Sequence, residues 1–348
     1  MKLAIPLNYA PMDARTAREI PQGPDWQYEP KWDGFRCLAF RDGDEIKLVS
    51  KAGQELERYF PEVLEHLAQL EAKRFVLDGE LMIIHEERAK FDMLLQRIHP
   101  AASRIKKLSL ETPATLVIFD MLLGPSGSSL EKKPLAERRK ALEQFAHSQL
   151  EGISTILLSP YTCEFKKAEQ WLFEMPGMLD GIVAKKLSEP YDSGGRDAMV
   201  KVKNIRSADC VVGGFRYAAA KNVVGSLLLG LYNAEDKLDH VGFTSGIKRD
   251  EKPGLTKQLE ELIQEPGFDG ARPGGPSRWS TERSSEWRPL APKLVAEVEY
   301  DHFSGGRFRH GTRFIRWRPD KSPAKCKRSQ VEFESQSPLL LLSGKSPF

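Results

Sequence analysis

An amine becomes a nucleophile once its proton is removed, and Lys31 stands where that chemistry could be arranged. The stretch reads Glu29-Pro30-Lys31-Trp32-Asp33-Gly34-Phe35-Arg36, with an aromatic, a carboxylate and a glycine directly after the lysine and an arginine five residues on. A free lysine has a pKa of about 10.4, so attack near neutral pH requires a perturbed environment. Asp33-Gly34 taken alone also satisfies a simple turn. Other reactive groups recur along the chain. Asp78-Gly79-Glu80 interrupts an apolar run, Phe119-Asp120 ends another, Asp180 opens a third, and Lys201 and Lys203 alternate in a fourth. Near the C-terminus Arg313, Arg316, Arg318, Lys321, Lys325, Lys327 and Arg328 face Asp320 alone. Such a run suits phosphate or nucleic acid, or a solvated tail.

The elements that must position these groups follow from pattern. Residues 1–25 are proline-rich and read as extended. Residues 36–40 and 45–49 flank Asp42-Gly43-Asp44, a hairpin signal that sets Lys31 just before a strand. Residues 60–70 carry apolar positions at helical spacing behind Pro61. Residues 75–84 read as a strand in which Asp-Gly-Glu marks either a bulge or a rigidly placed carboxylate. Residues 91–98, 134–147 and 165–175 read as helices, the second dense in Arg and Lys on one face, the third stopped by Pro176-Gly177. Residues 124–129 form a Gly/Ser loop. Period two puts Lys201 and Lys203 on one strand face, where solvent or a shared anion must offset their repulsion.

Beyond residue 205 the pattern changes to short strands with glycine-rich turns at 211–215, 225–232, 240–244, 294–300 and 312–318, plus one helix near 255–263. Five short strands and a helix in this length fit a small β-barrel of the oligonucleotide-binding type. Residues 265–289 read as a loop rich in Gly, Pro, Ser and Arg. After about residue 323 periodicity is lost, and residues 323–348 are expected to be a disordered tail.

A chain of 348 residues accommodates two domains. A net charge of +3 is too small to identify a partner. Cys37, Cys163, Cys210 and Cys326 are too scattered for a zinc knuckle and fit a reducing compartment. No signal peptide and no apolar run of membrane-spanning length is visible. These features predict a soluble, cytoplasmic protein that makes no membrane contact.

In their order, Lys31, Glu80, Phe119, Asp180, Lys201/Lys203 and Arg318-Pro319-Asp320-Lys321 resemble the motif series of the covalent nucleotidyltransferases, which comprise DNA ligases, RNA ligases and mRNA capping enzymes. The resemblance is closest to small bacterial ATP-dependent DNA ligases of the ligase C group and runs from about residue 1 to 323. It implies an α+β fold: a nucleotidyltransferase domain over 1–205, with ATP-grasp-like antiparallel sheets and flanking helices, then an OB-fold barrel over 206–322. It implies that Lys31 takes AMP from ATP as a phosphoramidate, passes it to the 5′-phosphate of a nick in duplex DNA, and that the 3′-hydroxyl then expels it. Asp33 would orient the lysine or that hydroxyl.

On the same resemblance Glu29 reads the adenine edge and Phe119 stacks on the base. Arg36 contacts the ribose and then the nick phosphate, while Lys51 and Arg196 belong to the nucleotide site. Glu80 holds the ribose or a metal water, and Asp180 binds Mg²⁺ or Mn²⁺. Lys201 and Lys203 neutralise phosphate charge, and with the metal they would lower the Lys31 pKa. Arg318, Asp320 and Lys321 orient the pyrophosphate. DNA is gripped through its phosphates by a protein expected to be a monomer; the sequence identifies no protein partner.

Three positions depart from the common pattern. Lys51 stands where many relatives have arginine, Asp180 is one methylene shorter than the usual glutamate, and Met199 replaces an aromatic. A GTP-using capping-type enzyme or RNA ligase is the alternative within the superfamily. A non-catalytic nucleic-acid-binding protein is the alternative outside it, opposed by the intact Lys31, Glu80, Lys201 and Lys203. An NAD-dependent ligase is disfavoured by the short stretch before Lys31 and the lack of a four-cysteine zinc site.

Overall fold

The computed structural model describes residues 1–175, 177–219, 221–274, 286–332 and 337–344. They fall into two compact units, residues 1–204 with 337–344, and residues 205–332.

The first unit contains β1 (Arg15–Ala17), β2 (Trp26–Lys31), β3 (Phe35–Asp42), β4 (Glu45–Ser50), α1 (Pro61–Gln69), β5 (Arg74–His85) and β6 (Arg88–Ala89). It continues with α2 (Phe91–Arg97), α3 (Ala102–Glu111), β7 (Ala114–Leu123), α4 (Leu135–Gln149), β8 (Ile156–Leu158), α5 (Phe165–Phe173), β9 (Gly181–Lys186) and β10 (Met199–Lys203). One sheet has the order β4-β3-β5-β7-β8, with β6 beside β5; the other has the order β1-β10-β9-β2. The β3–β4 hairpin turns on Gly43, whose φ of +65° a glycine adopts without penalty.

Alternation along the first sheet explains its two buried faces. Cys37, Ala39, Leu77, Leu81, Leu116 and Ile118 pack with Val63 and Leu67 of α1 and Leu142 and Phe145 of α4. On the opposite face, Leu38, Phe40 and Val76 pack with Met12 and Met199, and Met82 and Val117 join Ile182, Val200 and Trp171. The two sheets of this unit therefore share cores. The Asp-Gly-Glu interruption is a bulge within a continuous β5: its register against β7 slips between Asp78 and Gly79. α3 carries only Ile105 and Ser109 as buried positions, on a weakly apolar face that the sequence reading passed over.

The second unit holds β11 (Arg206–Ala218), β12 (Lys221–Tyr232), β13 (Leu238–Thr244), α6 (Lys252–Glu260), β14 (Arg288–Pro289), β15 (Val295–Tyr300), β16 (Phe303–Ser304), β17 (Arg307–Phe308) and β18 (Arg313–Trp317). The sheet order β13-β12-β11-β15-β18 is closed by a bridge between Thr244 and Thr312, reinforced where the Thr244 hydroxyl donates to the Thr312 carbonyl at 3.0 Å. Closure removes the sheet's free edges and gives the barrel a core of Val211, Leu227, Leu229, Val241, Phe268 and Val298. The expected loop at 265–289 is described only at its two ends; residues 275–285 lie outside the described residues.

The expected disorder beyond residue 322 is corrected among the described residues. Cys326 and Val331 are buried in the barrel core, and the Tyr232 amide donates to the Cys326 carbonyl at 2.8 Å. Gln330 exchanges two hydrogen bonds with the Asp209 backbone, each 2.9 Å. A last helix, α7 (Pro338–Leu342), returns to the first unit and buries Leu341 beside Trp171 and Leu172. Aperiodic sequence can be ordered when scattered apolar side chains find tertiary sites. A chain ending at residue 332 should therefore lose on the order of 5 °C in Tm, given one buried leucine in a unit of this size. Differential scanning fluorimetry checks this; an unchanged Tm would mean α7 contributes nothing.

Candidate active site

Backbone pairing places the lysine. Lys31 ends β2 and lies opposite Gly181 of β9, and the Asp180 amide donates to the Lys31 carbonyl at 3.0 Å. The side chains meet as well: Nζ donates to Asp180 Oδ2 at 2.5 Å. Two glycines permit this packing. A Cβ on Gly34 would stand 2.1 Å from the Leu81 carbonyl oxygen, and one on Gly181 the same distance from that of Val202. The glycine after Asp33 is thus required by the close approach of β5 beneath the β2–β3 connection. Trp32 is anchored by Nε1 donating to Ser159 Oγ at 2.9 Å.

Around Lys31 lies a cavity of about 180 Å³ lined by Glu29, Lys31, Arg36, Lys51, Glu80, Phe119 and Lys201. Seven sequence-predicted positions thus share one cavity. Asp13, Val183, Lys185 and Met199 line it too. Asp33, Asp180, Arg196 and Lys203 are not among the lining residues, though Asp180 pairs with Lys31, Asp33 acts electrostatically on Lys31 and Glu80, and Lys203 on Lys201. Arg196 pairs with Asp13 at 3.3 Å. Met199 is buried and packs in the core.

The protein's own groups shift the Lys31 pKa upward, whereas the expected depression also draws on a bound metal ion. Burial by itself lowers the pKa, but the charge and hydrogen bond of Asp180, with Glu80 and Asp33 behind them, more than offset it. The net shift is upward, so the lysine rests as an ammonium. Burial in turn drives the Glu80 carboxyl up to about 7, helped by the like charges of Asp33 and Asp78 and opposed by Arg36 and Lys31.

Arg36 is held more tightly than a free phosphate ligand would be. Its Nε and Nη2 each donate to Asp78 at 2.6 Å, and Nη2 also donates to the Met12 carbonyl at 3.2 Å. Tyr191 Oη donates to Asp78 at 2.6 Å and accepts from the Met12 amide at 3.0 Å. Arg138, bidentate to Asp120, lies over the Tyr191 ring. The basic face read on α4 is therefore partly buried and paired. Phe119 carries two cations over its ring, Arg36 at 4.8 Å and Lys185 at 4.5 Å from the centroid. Lys185 meets the buried Glu29 at 2.8 Å, and Gln27 Nε2 donates to Glu29 at 2.7 Å.

In the second unit Arg318 and Lys321 converge on Asp209, Arg318 at 3.1 Å and Lys321 at 2.5 Å, while Asp320 takes Arg318 at 2.8 Å. The sequence reading missed Asp13, Asp78, Lys185, Tyr191 and Asp209 as site residues. Asp78 and Lys185 were visible as polar interruptions at strand positions. The other three had no local signal.

Among the described residues no group of three or more His, Cys, Asp or Glu is arranged to hold a metal. The donor chemistry nevertheless fits a hard divalent cation. Asp180, Glu80 and Asp33 set three carboxylates around one ammonium, an oxygen-rich donor set, although the raised Glu80 pKa comes first from burial. Among the described residues no helix is long and apolar enough to cross a membrane.

A strand-end lysine with this carboxylate, aromatic and lysine lining, followed by a closed barrel, defines a covalent nucleotidyltransferase architecture. A family model described as "ATP dependent DNA ligase domain" matches residues 11–203, and one described as "ATP dependent DNA ligase C terminal region" matches residues 220–321. The chain belongs to the ATP-dependent DNA ligases. It is 41% identical to DNA ligase C1 of Mycolicibacterium smegmatis, covering 95% of this chain and 96% of the relative. It is 38% identical to DNA ligase C of Mycobacterium tuberculosis, at 95% and 96% coverage. A solved structure from an analysis of Lig E DNA ligases shares the fold, with TM-score 0.56 and 15% identity over 89% of this chain and 99% of that one.

The raised Glu80 pKa has a direction in pH. A carboxyl whose folded pKa lies above its unfolded value adds stability that is fully present below about 4.5 and lost as pH rises through about 7. Metal-free wild type should therefore lose more Tm between pH 5 and 8 than Glu80→Gln, and Mg²⁺ should restore more of it in wild type. Parallel Tm profiles for the two proteins would mean that Glu80 titrates as an ordinary glutamate.

Proposed function

We propose that this ligase seals nicks in duplex DNA through a lysyl-AMP intermediate on Lys31. The observation that carries this reading is the convergence of Lys31, Glu29, Arg36, Lys51, Glu80, Phe119 and Lys201 on one cavity. Lys31 Nζ attacks the α-phosphorus of ATP; the bond from that phosphorus to the bridging oxygen breaks, and pyrophosphate leaves. Asp180 is the carboxylate in reach of the proton that Nζ must lose. AMP passes to the 5′-phosphate of the nick, and attack by the 3′-hydroxyl releases it.

Lys201, with Lys203 on the same face of β10, offsets charge on the phosphate oxygens. Phe119 offers the base an aromatic surface, beside the buried Glu29–Lys185 pair whose lysine lies over the ring. Asp180 and Glu80 would hold Mg²⁺ or Mn²⁺, which when bound supplies Lewis-acid stabilisation of phosphate charge. Arg318 and Lys321 give the barrel a further phosphate-seeking pair. DNA is held chiefly through its backbone, so binding should be sequence-independent and salt-sensitive.

Incubation with α-labelled ATP, GTP or NAD and Mg²⁺ should label the protein from ATP. Label from GTP but not ATP would overturn the ligase assignment of the site. Lys31→Ala should abolish labelling, a loss of at least about a thousandfold, yet still seal nicked DNA that already carries AMP on its 5′-phosphate. Labelling that survives this change would identify another nucleophile.

A further inference from the structure

Asp13 lies at the rim of the cavity, two residues before β1. Its Oδ2 faces Lys51 Nζ at 2.9 Å and Arg196 Nη2 at 3.3 Å. Lys201 is close enough for the two charges to act on each other. These cations come from three separate places: the turn after β4, the segment before β10, and β10 itself. The carboxylate is held from its own backbone, the Asp13 amide donating to the Gly195 carbonyl at 2.8 Å and the Ala14 amide to Asp13 Oδ1 at 2.9 Å. One fixed carboxylate thus gathers two long and partly exposed cations beside a third. The imbalance of one negative charge against three positive ones marks a place where an anion is wanted.

We propose that Asp13 stands in for a substrate phosphate. While the site is empty it collects Lys51 and Arg196 at the cavity rim; an arriving phosphate takes them over, and Asp13 takes them back when the phosphate leaves. Asp13 is then a positioning residue that weakens phosphate binding and eases product release without touching the reacting atoms. This inference rests on the reading of the cavity as the nucleotide site. The phosphate could belong to ATP and its pyrophosphate product or to the nicked strand, and the two are separable by experiment.

Asp13→Asn keeps the shape of the side chain and an acceptor for the Ala14 amide while removing the charge. In the polyphosphate arm, the KM for ATP in lysine adenylylation should fall about three- to fivefold and inhibition by pyrophosphate should strengthen by a similar factor, the scale of partly exposed ion pairs. The rate at saturating ATP should change little. In the DNA arm, nicked duplex without a 5′-adenylate should bind about three- to fivefold tighter at low salt, with the gain fading as salt screens the cations. Asp13→Glu should return both toward wild type, and Lys51→Met in the Asp13→Asn background should erase the gain.

A gain in one arm supports the proposal and assigns the phosphate; unchanged or weaker binding in both arms, in a variant with wild-type Tm, overturns it. Asp13→Ser provides the same comparison if the asparagine variant is unstable. Wild-type protein that takes no label from ATP would instead refute the underlying site assignment, so the two failures are distinguishable.

Discussion

The ion pair between Lys31 and Asp180 is the constraint around which the first unit is built. A lysine can attack phosphorus only as a free amine, yet a buried ammonium must be paired or it costs too much to bury. Pairing solves the second problem and worsens the first, because the same carboxylate that makes Lys31 affordable in the interior also holds its proton. The structure therefore describes a resting state. Catalysis needs an added positive charge near Asp180 and Glu80, so that the carboxylates no longer favour the ammonium. A divalent cation held with ATP would bring that charge along with the electrophile, and so would tie deprotonation of the nucleophile to the presence of its target.

The same pairing of a carboxylate with cations recurs in both units. Asp78 holds Arg36, Asp209 holds Arg318 and Lys321, Glu29 holds Lys185, and Asp13 holds Lys51 and Arg196. The pairs differ in burial, and their consequences differ with it. Glu29 and Lys185 are almost fully enclosed, so neither can leave without stranding the other. Lys51 and Arg196 are more than half exposed, where an ion pair is weak and easily exchanged. The enclosed pairs shape the pocket, and the open ones can trade partners.

How much of this was legible in the sequence depended on distance along the chain. Lys31 was legible from the residues directly after it, and Glu80, Phe119 and Lys201 because each stands in an apolar or alternating strand pattern, all signals contained within a few residues. The hairpin at Gly43 and the barrel strands were readable for the same reason. Asp13 was not, because its significance comes from the parallel pairing of β1 with β10, which sets Arg15 opposite Val200 far along the chain. Asp209 needed Arg318 and Lys321, more than a hundred residues away. The upward pull of Asp180 on the Lys31 pKa was not legible, because the sequence counts charges but does not say which of them lie closest. The C-terminal segment was misread because its apolar residues pack singly into distant cores and leave no period behind.

Tyr191 carries a consequence for how the first unit comes apart. One phenol joins Asp78 of β5 to the backbone at Met12, while Arg138 of α4 lies against its ring and grips Asp120 of β7. Two sheets with independent cores could melt one after the other, each as its own foldon. Here a buried hydroxyl and a chain of charges cross between them, alongside the shared apolar cores. Parting the sheets would leave the Asp78–Arg36 pair within one sheet but strip it of the Tyr191 hydroxyl and expose the shared apolar cores, so partial opening is disfavoured. Shared cores and the Tyr191 link thus tie the scaffold beneath the cavity together, while the partly exposed side chains lie at its rim.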